Sequence, residues 1–445
     1  MERSRRMKQT TAYGVRIHAA SMKPVQDMVR IYRQAVTFLI KVCNEQWNSI
    51  SVIPFLVRKQ SFVEGLIHHT KNRTRVQYDQ FDVLFYKLPS YMRRAAISEA
   101  IGAVASYRSR LKSWNEKPVG KAPGVPQAGY TYPVLYEENM FEQTGNYSAR
   151  IKVWIRNTWD WMEVTFRKSD ADYILRHCGD RRKLSPTIVK KGRKWELMFP
   201  FEEEVALRTV KIQEQKILAV DLGIHNACAC SVMKSDGTIV GRRMLRLPVQ
   251  EDCLNHLLNK VKKAYKQGHR QIPTLWSRIN HVNRVISVET ARFISGVAEE
   301  FHVDAVVFEK LDLKGRKSGK GMRQRLHLWK SQDVQGMVAC KVHRMGIRVS
   351  HVNAWNTSSL AYDGTGKVER GVNHNYSICR FTTGKVYNCD LNASYNIGAR
   401  YFIREIIKTL PVTMGLGVSA KVPECTRRST CTLSTLISLS AALAV

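Results

Sequence analysis

KILAVDLG, residues 216–223, is an apolar run of strand length that reaches an acid, Asp221, just before a glycine. Short apolar runs bounded by turn residues read as strands buried on both faces. The same form returns in DAVVFEKLD (304–312), which ends near Glu309. Between the two, CACSVMKSDGTIVG (228–241) reads as a strand and turn, and Ile279, Val282, Ile286, Phe293, Ile294 and Val297 form a long helical stripe. A further strand, IRVSHV, and a helix, NASYNIGARYFIREIIK, follow, the helix opening directly after Asp390. Residues 211–408 therefore read as one α/β domain. In such a domain strand ends converge on one edge, so three acids distant in sequence can meet there.

The chain changes character on either side. Upstream, Val25, Met28, Val29, Tyr32, Val36, Leu39, Cys43 and Trp47 make an amphipathic helix, with Ser21 or Pro24 near its start. A second stripe, Ile97, Ile101, Val104, Tyr107 and Leu111, carries Arg93, Arg94, Arg108, Arg110 and Lys112 around it. Those cations are either phosphate contacts or an ordinary solvated face. Pro118, Pro123, Pro126 and Pro133 set a boundary, after which Ile151, Val153 and Ile155, then Met162, Val164 and Phe166, alternate with polar residues as a hairpin. The expected organisation is a first strand over 1–20, a helical region over 21–130, a β region over 131–210, the α/β domain, and a disordered tail over 409–445. The tail is expected because basic residues nearly vanish there and no period is evident.

The 445 residues hold 71 Lys and Arg against 37 Asp and Glu, a formal net charge of +34. Charge of one sign spread along the whole chain is tolerable chiefly when a polyanion neutralises it, which points away from small metabolites and towards nucleic acid. The ten cysteines are scattered singly, as reduced thiols would be, and no stretch has the length of a membrane span or a signal peptide. The reading is a cytoplasmic protein with no membrane partner.

Taken singly, each acid has a plain explanation: Asp390 as a helix N-cap, Glu309 as a partner of Lys310 or Lys314, Asp221 as a turn residue. Together, in so basic a chain, they suggest ligands for two hard divalent ions that activate water and stabilise the leaving oxygen of a phosphodiester. His225 could be imagined as a base, but a lone histidine is more often packed or solvated.

KILAVDLGIHNA, DAVVFEKLDLKG and YNCDLNASYNIGARYFIRE resemble the three split segments of the RuvC-like, RNase H-fold nuclease in the TnpB family of RNA-guided DNA endonucleases, which compact type V CRISPR effectors share. The resemblance implies a bilobed fold, α/β plus β, with a RuvC-like nuclease domain, a β-barrel wedge and a helical recognition domain. It implies Asp221, Glu309 and Asp390 as catalytic ligands of two magnesium ions. It also implies a guide RNA, a double-stranded DNA target with its displaced strand, and a short flanking motif. The family setting is a prokaryotic cell, where the DNA-bound protein would be nucleoid-associated, one chain per guide RNA. The two rival readings are an RNA-guided repressor that does not cut and a metal-dependent transposase.

Family members usually carry a zinc ribbon between the second and third segments. Over 356–385 this chain offers Thr357 and Ser358, but Ala361 stands where a cysteine is expected, and only Cys379 and Cys389 remain, with His374 nearby. Structural zinc takes four ligands, so no zinc is expected. The insert keeps Lys367, Arg370 and Arg380 for nucleic acid. Lys314, Arg316, Lys317, Lys320, Arg323, Arg325 and Lys330, interleaved with glycines beside Glu309, read as a lid over the site or as a surface loop.

Overall fold

The computed structural model describes residues 5–118, 120–223, 227–310, 328–371, 377–409 and 430–443. The chain divides into two compact units, Gln9–Glu203 and Glu204–Val445 with Met1–Lys8. Among the described residues no helix is long and apolar enough to cross a membrane.

In the first unit, strand β1 (Arg5–His18) is followed by helices α1 (Lys23–Glu45), α2 (Trp47–Ser51), α3 (Leu56–Ile67), α4 (Gln80–Leu84) and α5 (Ser90–Glu116). Then come β2 (Phe141–Gly145), β3 (Ser148–Ile155), β4 (Thr158–Phe166), α6 (Lys168–Cys178), β5 (Arg182–Lys183), β6 (Thr187–Lys191) and β7 (Lys194–Leu207). The strands form one seven-stranded sheet in the order β2-β3-β4-β1-β7-β5, with β6 on β7. The expected separation of a helical region from a β region does not hold here. The buried stripe of α1 and the inward residues of β3, Ala149, Ile151 and Val153, belong to one hydrophobic core. Each has one apolar face, and each buries it against the other.

The second unit continues with β8 (Lys216–Asp221), β9 (Cys228–Lys234), β10 (Ile239–Leu245), α7 (Pro248–Lys266), α8 (Pro273–Glu300), β11 (Ala305–Lys310), α9 (Ser331–Arg344) and β12 (Arg348–Asn353). It closes with β13 (Glu369–Arg370), β14 (Ile378–Arg380), β15 (Val386–Asn388), α10 (Cys389–Thr409) and α11 (Leu433–Leu443). Its main sheet runs β10-β9-β8-β11-β12. β8 and β9 pair antiparallel, as do β9 and β10, whereas β11 is parallel to both β8 and β12.

Side-chain alternation sorts this sheet into two faces. Leu218, Val220, Val306 and Phe308 pack with Ala291, Ile294 and Val297 of α8 and Val334, Val338 and Val342 of α9. Ile217, Ala219, Ala305 and Val307 pack instead with Tyr395, Ile397, Phe402 and Ile403 of α10. Helix α10 lies close to the sheet because Gly398 has no side chain: a Cβ there would stand 2.9 Å from Met233 Sδ and 3.2 Å from Ala219 Cβ.

The expected disordered tail is corrected in part. Residues 433–443 form α11, and Leu433, Leu436 and Leu439 are buried in the same core as α10. These three leucines form its buried face, while Ile437, Ser438 and residues 441–443 stay exposed. At the β9–β10 turn, Gly237 has φ +91° and a Cβ would sit 2.9 Å from Ile437 Cγ1.

Candidate active site

The geometry of the three acids follows from the alternation just described. Val220 and Phe308 are partners in the parallel pair β8–β11, so Asp221 and Glu309, the next residue on each strand, lie at neighbouring strand ends. By parity both belong with Ile217, Ala219, Ala305 and Val307, on the face covered by α10. Asp390 sits in the first turn of that helix. All three residues are half-buried.

The carboxylates feel one another. The Asp221 carboxyl is held well above the usual carboxylate range, first by burial and then by the negative charges of Glu309 and Asp390, with Arg370 acting in the opposite sense. Asp390 is not the cap of its helix. Asn388 Oδ1 does that, accepting from the backbone N–H groups of Asp390 (3.0 Å) and Leu391 (2.9 Å). Glu309 Oε1 accepts a hydrogen bond from the hydroxyl of Thr357.

Among the described residues, no three His, Cys, Asp or Glu side chains are spaced to hold a metal ion. The donor set still suits a hard divalent cation. It consists of carboxylates, and magnesium keeps several waters while taking only one or two carboxylates from a protein. A cation would also offset the repulsion that raises the Asp221 carboxyl.

The insert has a packed interior. Ala361, Cys379, Phe381 and Cys389 are buried together, with Tyr362, Val368 and Tyr387 around them. The Cys389 thiol hydrogen-bonds to Cys379, which lowers the Cys379 pKa and raises that of Cys389. Elemental analysis of purified protein is expected to find well under one zinc per chain. Stoichiometric zinc, lost on Cys379→Ser or Cys389→Ser, would show that the two sulfurs are ligands.

Several expected nucleic-acid contacts are committed elsewhere. Arg93 is only 8% exposed, and its Nε and Nη2 donate to Glu64 Oε1 at 2.9 and 2.8 Å. Arg94 reaches the same glutamate at 3.5 Å. Arg108 Nη2 donates to the Asn44 carbonyl at 2.8 Å, docking α5 on α1. Arg93 and Arg108 serve the helical core, because Glu64 and Asn44 fold opposite them, whereas Arg94 stays exposed. Arg370 Nη2 binds the Ser358 carbonyl (2.9 Å), and its charge acts on Asp221. Arg380 lies 3.9 Å from Glu369, and Lys330 lies 3.6 Å from Asp333. Arg110, Lys112 and Lys367 are exposed. His225, His374, Lys314, Arg316, Lys317, Lys320, Arg323 and Arg325 lie outside the described residues.

The sequence reading missed an open cleft of about 720 Å³ in the first unit. It is lined by Arg30, Arg33, Lys41 and Lys190, with Tyr132 and Trp195, and no acid is among its lining residues. Arg33 stands 4.7 Å over the Tyr132 ring, and Lys190 5.5 Å from that of Trp195. Arg30, Arg33 and Lys41 mark the polar side of the α1 stripe, so the signal was present. The missing part was the wall supplied by Lys190 and Trp195, some 150 positions later.

Known proteins share parts of this chain. Residues 9–155 match the Aq_aa04 family. The TnpB-like protein aq_aa05 of Aquifex aeolicus (strain VF5) is 25% identical over 253 residues, covering 50% of this chain and 79% of that protein. The chain is similar to a TnpB-like protein over half its length. Among solved structures, a Cas12f1–sgRNA–target DNA complex aligns over 87% of this chain and 98% of that one, at 13% identity and a TM-score of 0.34. An AacC2c1–sgRNA binary complex aligns over 86% and 66%, at 10% identity and a TM-score of 0.37. Structural likeness at that level does not decide the fold, and the reading of this chain rests on its own strand order and site.

Proposed function

We propose that this chain is an RNA-guided DNA endonuclease whose active site is Asp221, Glu309 and Asp390. The observation that carries the reading is the convergence of these acids at one sheet end, on the α10 face. The strand order of the second unit, an antiparallel β8–β9–β10 meander on one side of β8 and parallel β11 and β12 on the other, supports an RNase H-like nuclease fold. The similarity to a TnpB-like protein supports the guided form of the activity.

The three carboxylates would hold two magnesium ions, whose chemistry there is activation of water and stabilisation of the leaving oxygen. The chain's own contribution is placement: parallel strand ends set Asp221 and Glu309 side by side, Asn388 fixes the first turn of α10, and Arg370 moderates the local negative charge. The partners on this reading are a guide RNA, double-stranded target DNA and the displaced strand, in the cytoplasm of a prokaryotic cell. A flanking motif belongs with the acid-free cleft, where Gln26 and Gln34 each carry a donor and an acceptor for a base edge. The presence of all three acids favours a nuclease over a guided repressor.

The test is redirection. A surplus of 34 positive charges binds any polyanion at low salt, so binding alone decides nothing. The protein is expected to copurify with one discrete RNA, and rewriting that RNA's guide segment is expected to move double-strand cleavage to the matching site. Cutting of fixed DNA ends by RNA-free protein would favour a transposase, and redirected binding without cutting would favour a repressor.

A further inference from the structure

We propose that Thr357 and Asn396 are positioning residues for Glu309, and that the C-terminal helix α11 is the clamp that fixes them; the proposal rests on the nuclease reading above. A continuous set of hydrogen bonds joins α11 to the candidate active site. The Leu433 N–H, at the start of α11, donates to Asn396 Oδ1 at 3.3 Å. Asn396 Nδ2 in turn donates to the carbonyls of Thr357 and Leu360, both at 2.9 Å. The Thr357 hydroxyl donates to Glu309 Oε1 and also lies 3.0 Å from the Ala354 carbonyl. Of these two acceptors the ionised carboxylate is the stronger.

A second strap runs in parallel, one helical turn along. Arg400 follows Asn396 by four residues, so the two share a face of α10. Its Nε donates to the Cys431 carbonyl at 3.1 Å, just before α11, and its Nη1 donates to the carbonyls of Asn353 and Trp355 at 2.8 and 2.7 Å. The segment from 353 to 360 is therefore tied to α10 by Asn396 and Arg400, each shared with the C-terminal segment, and a third time by Asn392, whose Nδ2 donates to the Leu360 carbonyl at 2.8 Å without that segment. Asn396 is fully buried, and Thr357 and Arg400 are each 2% exposed, so water does not compete for these bonds.

A packing explanation accounts for the burial of α11 but not for this routing. Buried polar groups need partners, yet nothing in that requirement sends the path to one of the three acids. Placement is the function that does, because a reacting geometry is lost over about 1 Å, at a cost on the order of 10²-fold in rate.

The test uses the complex of full-length protein with its guide RNA, reading single-turnover cleavage and target affinity separately. Thr357→Val keeps the side-chain shape and removes the hydroxyl. It is expected to slow cleavage by roughly 10- to 100-fold, with target affinity within about twofold of wild type and Thr357→Ser recovering most of the rate. Equal cleavage by the Val and wild-type proteins would overturn the role of Thr357. So would a parallel loss of rate, affinity and thermal stability in both the Val and the Ser variants, which marks a merely structural residue. For the clamp, a chain ending at Thr409 and the milder Leu436→Ala variant are each combined with Thr357→Val and assayed below their own melting temperatures. Losses that overlap rather than multiply support a shared path, and independent multiplication in both pairs would overturn it. A wild-type complex that never cuts refutes the nuclease reading instead.

Discussion

Asp221→Asn is expected to abolish DNA cleavage and, in the same protein freed of divalent ions, to raise the melting temperature. Both effects come from one feature. Burial and the charges of Glu309 and Asp390 disfavour the ionised Asp221 carboxylate in the folded state, so its pKa lies well above the unfolded value. Between the unfolded carboxylate pKa, about 4, and the raised folded value, the native state binds more protons than the unfolded state. Stability therefore falls as pH rises through that window, and the full cost of ionisation is present above it. Asparagine removes the charge at similar size, so the stabilisation should be largest at high pH and vanish below about pH 4. Cleavage should drop by a factor on the order of 10³ or more, since a group that organises transition-state charge is lost, while guide-dependent target binding persists. Glu309→Gln and Asp390→Asn are expected to lose cleavage in the same way. Near wild-type cutting by any of the three in magnesium removes that residue from the site. A metal-free Asp221→Asn protein that melts below wild type at neutral pH would contradict the electrostatic account.

How much of this was legible in the sequence depended on how local each signal was. Asp221 and Glu309 could be read as strand ends because each closes an uninterrupted apolar run, and the side-chain parity that places them on the α10 face is a property of the strand itself. The role of Asn388 as the cap of α10, in place of Asp390, turns on a shift of two positions, finer than a sequence pattern supplies. Arg93 and Arg108 were opaque for another reason. A cation beside a helical stripe looks the same whether solvent or Glu64 lies opposite, and Glu64 is 29 positions away. Thr357 was noticed only as a remnant of a ribbon motif, because its link to Glu309 spans 48 positions. Helix α11 hid for another reason: its eleven residues carry no charge, and its exposed side holds Ile437 and Leu443 as well as Ser438, so the buried leucine face does not stand out from the rest.

That hidden helix sets the second large effect. A chain ending at Thr409 should melt about 10 °C or more below the full chain, because a kcal/mol lost shifts a domain of this size by about 2–4 °C. Leu433, Leu436 and Leu439 are 6%, 0% and 3% exposed, and burial of each is worth about 1.5–3 kcal/mol before allowance for a compact unfolded state. Their removal also opens the face of α10 that holds Ile403 and Ile406, members of the same core. The ordering entropy of α11 offsets part of the loss, but an uncharged segment gains little from water in return. Leu436→Ala, which leaves the helix in place and empties its most buried position, should lose about 2–5 kcal/mol, the lost burial and the cavity together. Thermal unfolding followed by circular dichroism checks both. Truncation that moved the midpoint by less than about 2 °C, under 1 kcal/mol on that scale, would mean that residues 433–443 leave this core in solution, and the clamp on Glu309 would fall with them.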